Sequence, residues 1–153
     1  MKSITLHLVV AGATYFNQLD RFQGWSGTPL TATGEQATAK VAQQLASTTF
    51  DTAFASDTSR AIQTARIILD SRAQPVKLRT VVALRAPFYG GFEGTERAAV
   101  WSGFATRPPV SYRHCCTITM RMDWRKVGRS SGIAIKRGYN RLWRQRLIMV
   151  RSC

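Results

Sequence analysis

Short apolar stretches and longer periodic stretches alternate through the first half of the chain. Residues Ile4 to Val10 alternate apolar and polar positions and end fully apolar, which predicts a strand that is central in its sheet at the C-terminal end. A second strand is predicted at Thr52 to Ala55. Two more segments, residues 76–78 and 81–84, have the composition of extended chain.

Two amphipathic helices are predicted between these strands. Thr33 and Gln36 have the spacing of a capping box, so the first helix is expected to begin there and to run to about Leu45. Ser56 or Asp57 can cap the second helix. The order strand, helix, strand, helix, strand predicts an α/β fold, a three-layer sandwich in which a mostly parallel sheet is flanked by helices.

One anion pocket is predicted at the carboxyl ends of the strands, where ligands of such sheets bind. The loop from Gly12 to Asn17 follows the first strand, and Arg60 lies in the first turn of the second helix. A guanidinium beside unpaired helix N-terminal amides suits phosphate, because its planar donors match phosphate oxygens. The alternative is that Arg60 is only a solvated arginine at the start of a helix.

Four ordered motifs within about the first 100 residues resemble the histidine phosphatase superfamily, also called phosphoglycerate mutase-like. The motifs lie in Leu6–Asn17, Gly24–Ala37, Ser56–Ala65 and Leu84–Gly94. The resemblance implies a phosphoglycerate mutase-like fold, here truncated. It also implies kinship with phosphomonoester hydrolases and phosphomutases that act through a phosphohistidine on phosphorylated small molecules.

The chain departs from this family at the positions that carry its chemistry. Val10, Ala11 and Gly12 stand where the family has Arg-His-Gly, whose histidine attacks phosphorus and whose arginine binds the phosphoryl oxygens. Ala86 stands where the family has its general acid, a glutamate. Alkyl side chains can neither attack phosphorus nor donate a proton, so we expect no intact catalytic residue and a pseudoenzyme.

At other family positions the chain keeps residues that could bind phosphate. By resemblance, Arg60, Gly12, Thr14 and Asn17 are the remaining phosphate-binding candidates, and any phosphorylated small molecule is expected to bind weakly. His7 is expected to be a packed or edge histidine of the first strand.

The net charge and the cysteine content bear on possible partners and on cellular location. The 153-residue chain carries a formal charge of +14, of which +11 falls after Val100, where Asp123 is the one acidic residue. Three cysteines without Cys-x-x-Cys spacing give no support for a disulfide scaffold or a zinc site, so a reducing cytoplasm is the expected location. Neither a cofactor, a metal site nor a transmembrane segment is predicted.

The basic stretch from residue 101 to residue 153, rich in Arg, Trp and Cys, does not match the family pattern and has three open interpretations. The first is a frameshift or truncation that replaced the family's C-terminal half, which would leave the first strand short of a neighbour. The second is a nucleic-acid or anionic-membrane binding segment, with an apolar helical stripe at Tyr139, Leu142, Trp143, Leu147 and Val150. The third is a chain without a selected function.

Overall fold

A five-stranded mixed sheet flanked by helices forms the framework of the protein. The computed structural model describes residues 3–103, 117–123 and 146–152. Its strands are β1 (Ser3–Val10), β2 (Thr52–Ala55), β3 (Leu78–Thr80), β4 (Thr117–Asp123) and β5 (Arg146–Ser152). Its α-helices are α1 (Tyr15–Gln18), α2 (Ala32–Leu45), α3 (Ser59–Asp70) and α4 (Arg97–Trp101), and short 3₁₀ helices cover Val82–Leu84 and Gly90–Phe92.

The strand order is β3-β2-β5-β1-β4, and most neighbouring pairs are antiparallel. Strand β1 is antiparallel to both β4 and β5, β2 is antiparallel to β5, and β2 is parallel to β3. The α/β class is therefore confirmed, but the expectation of a mostly parallel sheet is wrong. The reason is β5, which runs in the opposite direction and lies between β1 and β2.

Strand β1 has hydrogen-bonded neighbours on both sides. Leu6 lies opposite Met120 of β4 and opposite Val150 of β5. Val9, near the end of the strand, is fully buried. The expectation that β1 loses a neighbour is therefore wrong, because residues beyond 116 supply both partners.

Both long helices begin at a threonine that the capping prediction did not choose. Thr31 is the N-cap of α2, and its Oγ1 accepts a hydrogen bond from the backbone N–H of Gly34 at 3.1 Å. Thr58 is the N-cap of α3, and Ser56 Oγ accepts a hydrogen bond from the Thr58 N–H. The prediction that the first helix begins at a Thr33 cap is wrong, because the chain is already helical at Ala32. The prediction of Ser56 or Asp57 as the cap of the second helix is also wrong, because that helix begins one residue after Thr58.

The core lies where α2 and α3 pack on the sheet. It consists of small and aliphatic side chains from five elements: Val9, Val41, Ala42, Leu45, Ala53, Ala55, Ala61, Ala65, Ile68, Leu69 and Met149. Residues 82–84 form a 3₁₀ turn rather than the expected extended segment. No helix in the described ranges is long and apolar enough to cross a bilayer.

The expected apolar helical stripe does not extend to the end of the chain. Leu147 and Val150 belong to β5, in which they lie opposite Val9 and Leu6. The prediction of a helix through these two residues is wrong, because the segment is a strand that pairs with β1 on one side and with β2 on the other. The other three members of the stripe, Tyr139, Leu142 and Trp143, lie outside the described residues. The same is true of the three consecutive residues His114, Cys115 and Cys116, whose types can bind a metal ion.

Candidate functional site

The end of β1 is tied to helix α3 through a buried hydroxyl group. The backbone N–H of Gly12 donates to Thr64 Oγ1 at 3.1 Å, and Thr64 Oγ1 donates to the Arg60 carbonyl at 2.8 Å. The preceding residues, Val10 and Ala11, are half-buried and carry only alkyl groups. The chain therefore brings the first predicted loop against α3, one turn after Arg60, but places no nucleophilic side chain at the end of the strand.

Thr14 and Asn17 lie in the same loop and bind one another. They form a capping box at the start of α1: Asn17 N–H donates to Thr14 Oγ1, and Thr14 N–H donates to Asn17 Oδ1 at 3.0 Å. Thr14 is fully buried, and its hydroxyl donates to Gln23 Oε1 at 2.7 Å. Gln23 Nε2 in turn donates to Thr28 Oγ1 at 2.6 Å. These polar groups stabilise the loop that follows β1.

Arg60 is buried, with 1 % of its surface exposed, so the alternative of a solvated arginine is wrong. Its Nη1 donates to the Ser26 carbonyl at 2.8 Å, and its Nη2 donates to the Gly24 carbonyl at 2.6 Å. Burial lowers the pKa of Arg60 to about 10, and the negative charge of Glu93 acts against this shift. The guanidinium therefore keeps its positive charge at neutral pH.

Residues 24–26, here called the Gly24–Ser26 loop, are held from the other side by Glu93. One carboxylate oxygen accepts hydrogen bonds from the Trp25 N–H at 2.7 Å and the Tyr89 N–H at 3.2 Å. The other oxygen accepts from the Ser26 N–H at 2.6 Å. Burial alone would raise the pKa of Glu93, but these backbone donors outweigh burial, so the pKa is lowered.

Trp25 of the Gly24–Ser26 loop packs in a cluster of aromatic and charged side chains. Ala86 is buried, and its carbonyl accepts a hydrogen bond from Trp25 Nε1 at 3.0 Å. The Arg85 guanidinium lies 4.4 Å from the Trp25 ring centre and binds the Asp57 carboxylate. The hydrogen bond from Arg85 holds the pKa of Asp57 below its usual value. Trp25 also contacts Phe88, with ring centres 4.9 Å apart.

Two sets of hydrogen bonds contain the four retained candidates. Gly12 is joined through Thr64 to the backbone carbonyl of Arg60. Asn17 is joined through Thr14 to Gln23, the residue before the Gly24–Ser26 loop. Sequence reasoning did not single out Gln23 or Glu93 as site residues. The signal for Glu93 was its place in a family motif, but nothing in that motif shows which amides it binds.

His7 lies in β1 and contacts an aromatic side chain. Its ring packs edge-on against Phe50 with centres 5.0 Å apart, which confirms a packed histidine of β1. No group of three His, Cys, Asp or Glu side chains within residues 3–103, 117–123 and 146–152 could hold a metal ion.

These features agree with what the comparisons with known proteins show. The family model of the histidine phosphatase superfamily (branch 1) matches residues 6–118, and the chain belongs to that family. It is 31 % identical over 112 residues to the 2,3-bisphosphoglycerate-dependent phosphoglycerate mutase of Cytophaga hutchinsonii, covering 73 % of this chain and 53 % of that protein. The chain therefore spans about half the length of this relative.

Solved structures show the same relationship. Phosphoglycerate mutase from Bacillus anthracis superimposes with a TM-score of 0.62 and 31 % identity, over 65 % of this chain and 44 % of that one. Phosphoserine phosphatase from Entamoeba histolytica, solved in complex with 3-phosphoglyceric acid, gives a TM-score of 0.55 and 28 % identity, over 63 % and 46 %. The phosphoglycerate mutase-like fold is thus confirmed, and relatives of this chain bind phosphorylated small molecules.

Proposed function

We propose that this chain is a catalytically inactive histidine phosphatase family member that binds the phosphate group of small molecules weakly. The observation that carries the proposal is the set of residues at the family's catalytic positions, namely Val10, Ala11 and Ala86. Arg60, with the loop from Gly12 to Asn17, would hold the phosphate.

The inactivity follows from the chemistry of the side chains. The methyl group of Ala11 has no lone pair with which to attack phosphorus, and the methyl group of Ala86 has no proton to give a leaving group. Removing the nucleophile alone costs about 10⁶ in turnover in a well-studied protease. Uncatalysed hydrolysis of phosphate monoesters is among the slowest reactions known, so binding alone gives no detectable turnover.

The binding follows from the charge and the position of Arg60. It is a protonated guanidinium in the first turn of α3, where the helix dipole adds positive potential. Because its η nitrogens already donate to the carbonyls of Gly24 and Ser26, phosphate must compete with these bonds. This competition is the reason that weak binding is expected.

Two measurements on the purified full chain test the proposal. Turnover of p-nitrophenyl phosphate should be undetectable, and isothermal titration should detect phosphate binding that is lost in Arg60→Ala. Arg66→Ala is the matched control, because Arg66 is an exposed arginine of the same helix. Turnover that disappears in Arg60→Ala would refute inactivity, and equal phosphate affinity in Arg60→Ala and the native chain would refute the assigned site.

A second candidate function is the binding of polyanions by residues 101–153. The supporting observation is the net charge of +11 in this stretch, which would release counterions from nucleic acid or an anionic membrane. Affinity for DNA measured over increasing salt distinguishes a selected role from incidental charge. Sequence preference that persists at about 0.2 M salt would favour a selected role, whereas uniform loss of binding would count against it.

A further inference from the structure

Opposite charges hold opposite sides of the same three-residue loop. The carbonyls of Gly24 and Ser26 accept hydrogen bonds from Arg60, and the amides of Trp25 and Ser26 donate to Glu93. The backbone carbonyls of the loop are thus paired with a cation, and its backbone N–H groups are paired with an anion. Arg60 and Glu93 are far apart in the chain, so this arrangement depends on the tertiary structure.

We propose that the Gly24–Ser26 loop is a latch that covers Arg60, and that Glu93 holds this latch closed. Phosphate then reaches the guanidinium only when at least one of the two hydrogen bonds from Arg60 to the loop carbonyls is broken. This inference rests on the proposed function, since Arg60 is taken as the phosphate-binding group.

Burial of Arg60 is the first argument for a latch. With 1 % of its surface exposed, the side chain has almost no area that a solute could touch. Its hydrogen bonds to the loop carbonyls, 2.8 and 2.6 Å long, are short and involve a charged donor. A ligand anion therefore needs a loop displacement before it can form the same bonds.

Close packing between the loop and Glu93 is the second argument. A Cβ atom placed on Gly24 would lie 2.2 Å from Glu93 Oε1 and 2.5 Å from the Pro87 carbonyl oxygen. The carboxylate thus lies directly against the loop backbone, where only glycine fits. Three backbone N–H groups converge on that carboxylate, and the lowered pKa of Glu93 keeps it ionised at neutral pH.

The latch predicts the direction in which a substitution at Glu93 changes phosphate affinity, and it predicts how the binding rate depends on phosphate concentration. If the open state is a minor fraction of the molecules, the apparent dissociation constant exceeds the intrinsic one by the inverse of that fraction. Weakening the Glu93 contacts raises the open fraction. Loss of one hydrogen bond to a charged acceptor corresponds to roughly tenfold or more in this equilibrium.

The experiment compares phosphate binding in the native chain, Glu93→Ala, Glu93→Gln and the control Glu96→Gln. Glu96 is an exposed carboxylate three residues away, and Glu96→Gln controls for the change in net charge. Glu93→Gln removes the charge that acts on Arg60 but keeps an oxygen that can accept from the loop amides, so its phosphate affinity should rise less than that of Glu93→Ala. We expect phosphate affinity to rise about tenfold in Glu93→Ala and to change little in Glu96→Gln. Far-UV circular dichroism checks that each variant is folded.

Stopped-flow fluorescence of the native chain supplies a readout that needs no variant at position 93. Trp25 lies in the latch, and the difference between the native chain and Trp25→Phe isolates its signal. The observed rate should level off as phosphate concentration rises, because opening limits binding. Either a rate that rises linearly with phosphate concentration or an unchanged affinity in Glu93→Ala would overturn the latch but leave phosphate binding intact. Absence of phosphate binding in all variants would overturn both proposals.

Discussion

Replacing Gly34 with alanine sets helix propensity against packing, and we expect packing to prevail. Gly34 lies in the first turn of α2, where alanine is intrinsically favoured by about 1 kcal/mol. A Cβ atom at this position would lie 2.2 Å from the Ala13 carbonyl oxygen and 2.8 Å from the Ala13 nitrogen. Both atoms belong to the backbone of the loop after β1, so no side-chain rotation relieves the contact.

The magnitude follows from these two effects. Overpacking of a well-filled interior costs about 1–3 kcal/mol, and contact with two backbone atoms of Ala13, at 2.2 and 2.8 Å, places Gly34→Ala at the upper end. After the propensity gain of about 1 kcal/mol, the free energy of unfolding should fall by about 2 kcal/mol. The loop carrying Thr14 and Asn17 must also shift, because Ala13 lies between them and Gly12.

Urea unfolding followed by far-UV circular dichroism measures this change through the midpoint and slope of the transition. Gly91→Ala is the matched control: a Cβ atom placed there would have no described atom within 4 Å, and the φ of Gly91 is not positive, so the midpoint should barely move. An unfolding midpoint for Gly34→Ala at or above that of the native chain would refute the reasoning, since propensity would then have prevailed over packing.

Three further substitutions test other contacts. Ile68→Ala removes a fully buried side chain from the core and should lower the free energy of unfolding by about 2–5 kcal/mol in the same urea assay. Arg72→Ala removes hydrogen bonds to the Leu45 and Thr48 carbonyls; a loss of about 1 kcal/mol is expected, and an unchanged midpoint would contradict it. Asp57→Asn removes a carboxylate whose pKa is lowered in the folded state, so its stabilising effect is present above its unfolded pKa and disappears as the pH falls below about 4. The variant should therefore lose less stability than the native chain in melting experiments between about pH 5 and pH 3.

Local patterns were sufficient to predict β1, β2 and the two long helices, although not the short helix α1. The alternating and then apolar stretch from Ile4 to Val10 lies within β1, and residues 52–55 form β2 as expected. The pairing of these strands was not predictable in this way. Nothing in residues 1–100 shows that β5 lies between β1 and β2, because that contact joins segments far apart in the chain.

The sequence of β4 contained a signal that was missed. Ile118, Met120 and Met122 alternate with polar residues, which is typical of a strand, but the surrounding Arg- and Cys-rich composition obscured this short pattern. The α2 start was misplaced for a different reason. Thr31 and Thr33 are both good capping residues, and the choice between them depends on the Thr31 N–H bond to the Ala13 carbonyl, a tertiary contact.

The candidate site was predictable in its residue positions but not in its contacts. The motif around Arg60 predicts a basic residue near the end of β1. It does not predict that this residue is buried against backbone carbonyls, because those carbonyls belong to the folded Gly24–Ser26 loop. The same is true of Glu93, whose partners Trp25 and Ser26 come much earlier in the sequence. Family resemblance supplies positions, whereas tertiary structure decides which partners those side chains bind.

The central position of β5 has a consequence for how the chain folds during synthesis. Ile4, almost the first residue described, lies opposite Ser152. While a ribosome is still translating the segment before residue 146, β1 and β2 lack the strand that joins them, and nascent β1 presents an open hydrogen-bonding edge. Such a chain can form α2 and α3 early but completes its sheet only after translation of β5, so a chaperone that shields nascent chains should raise the folded yield.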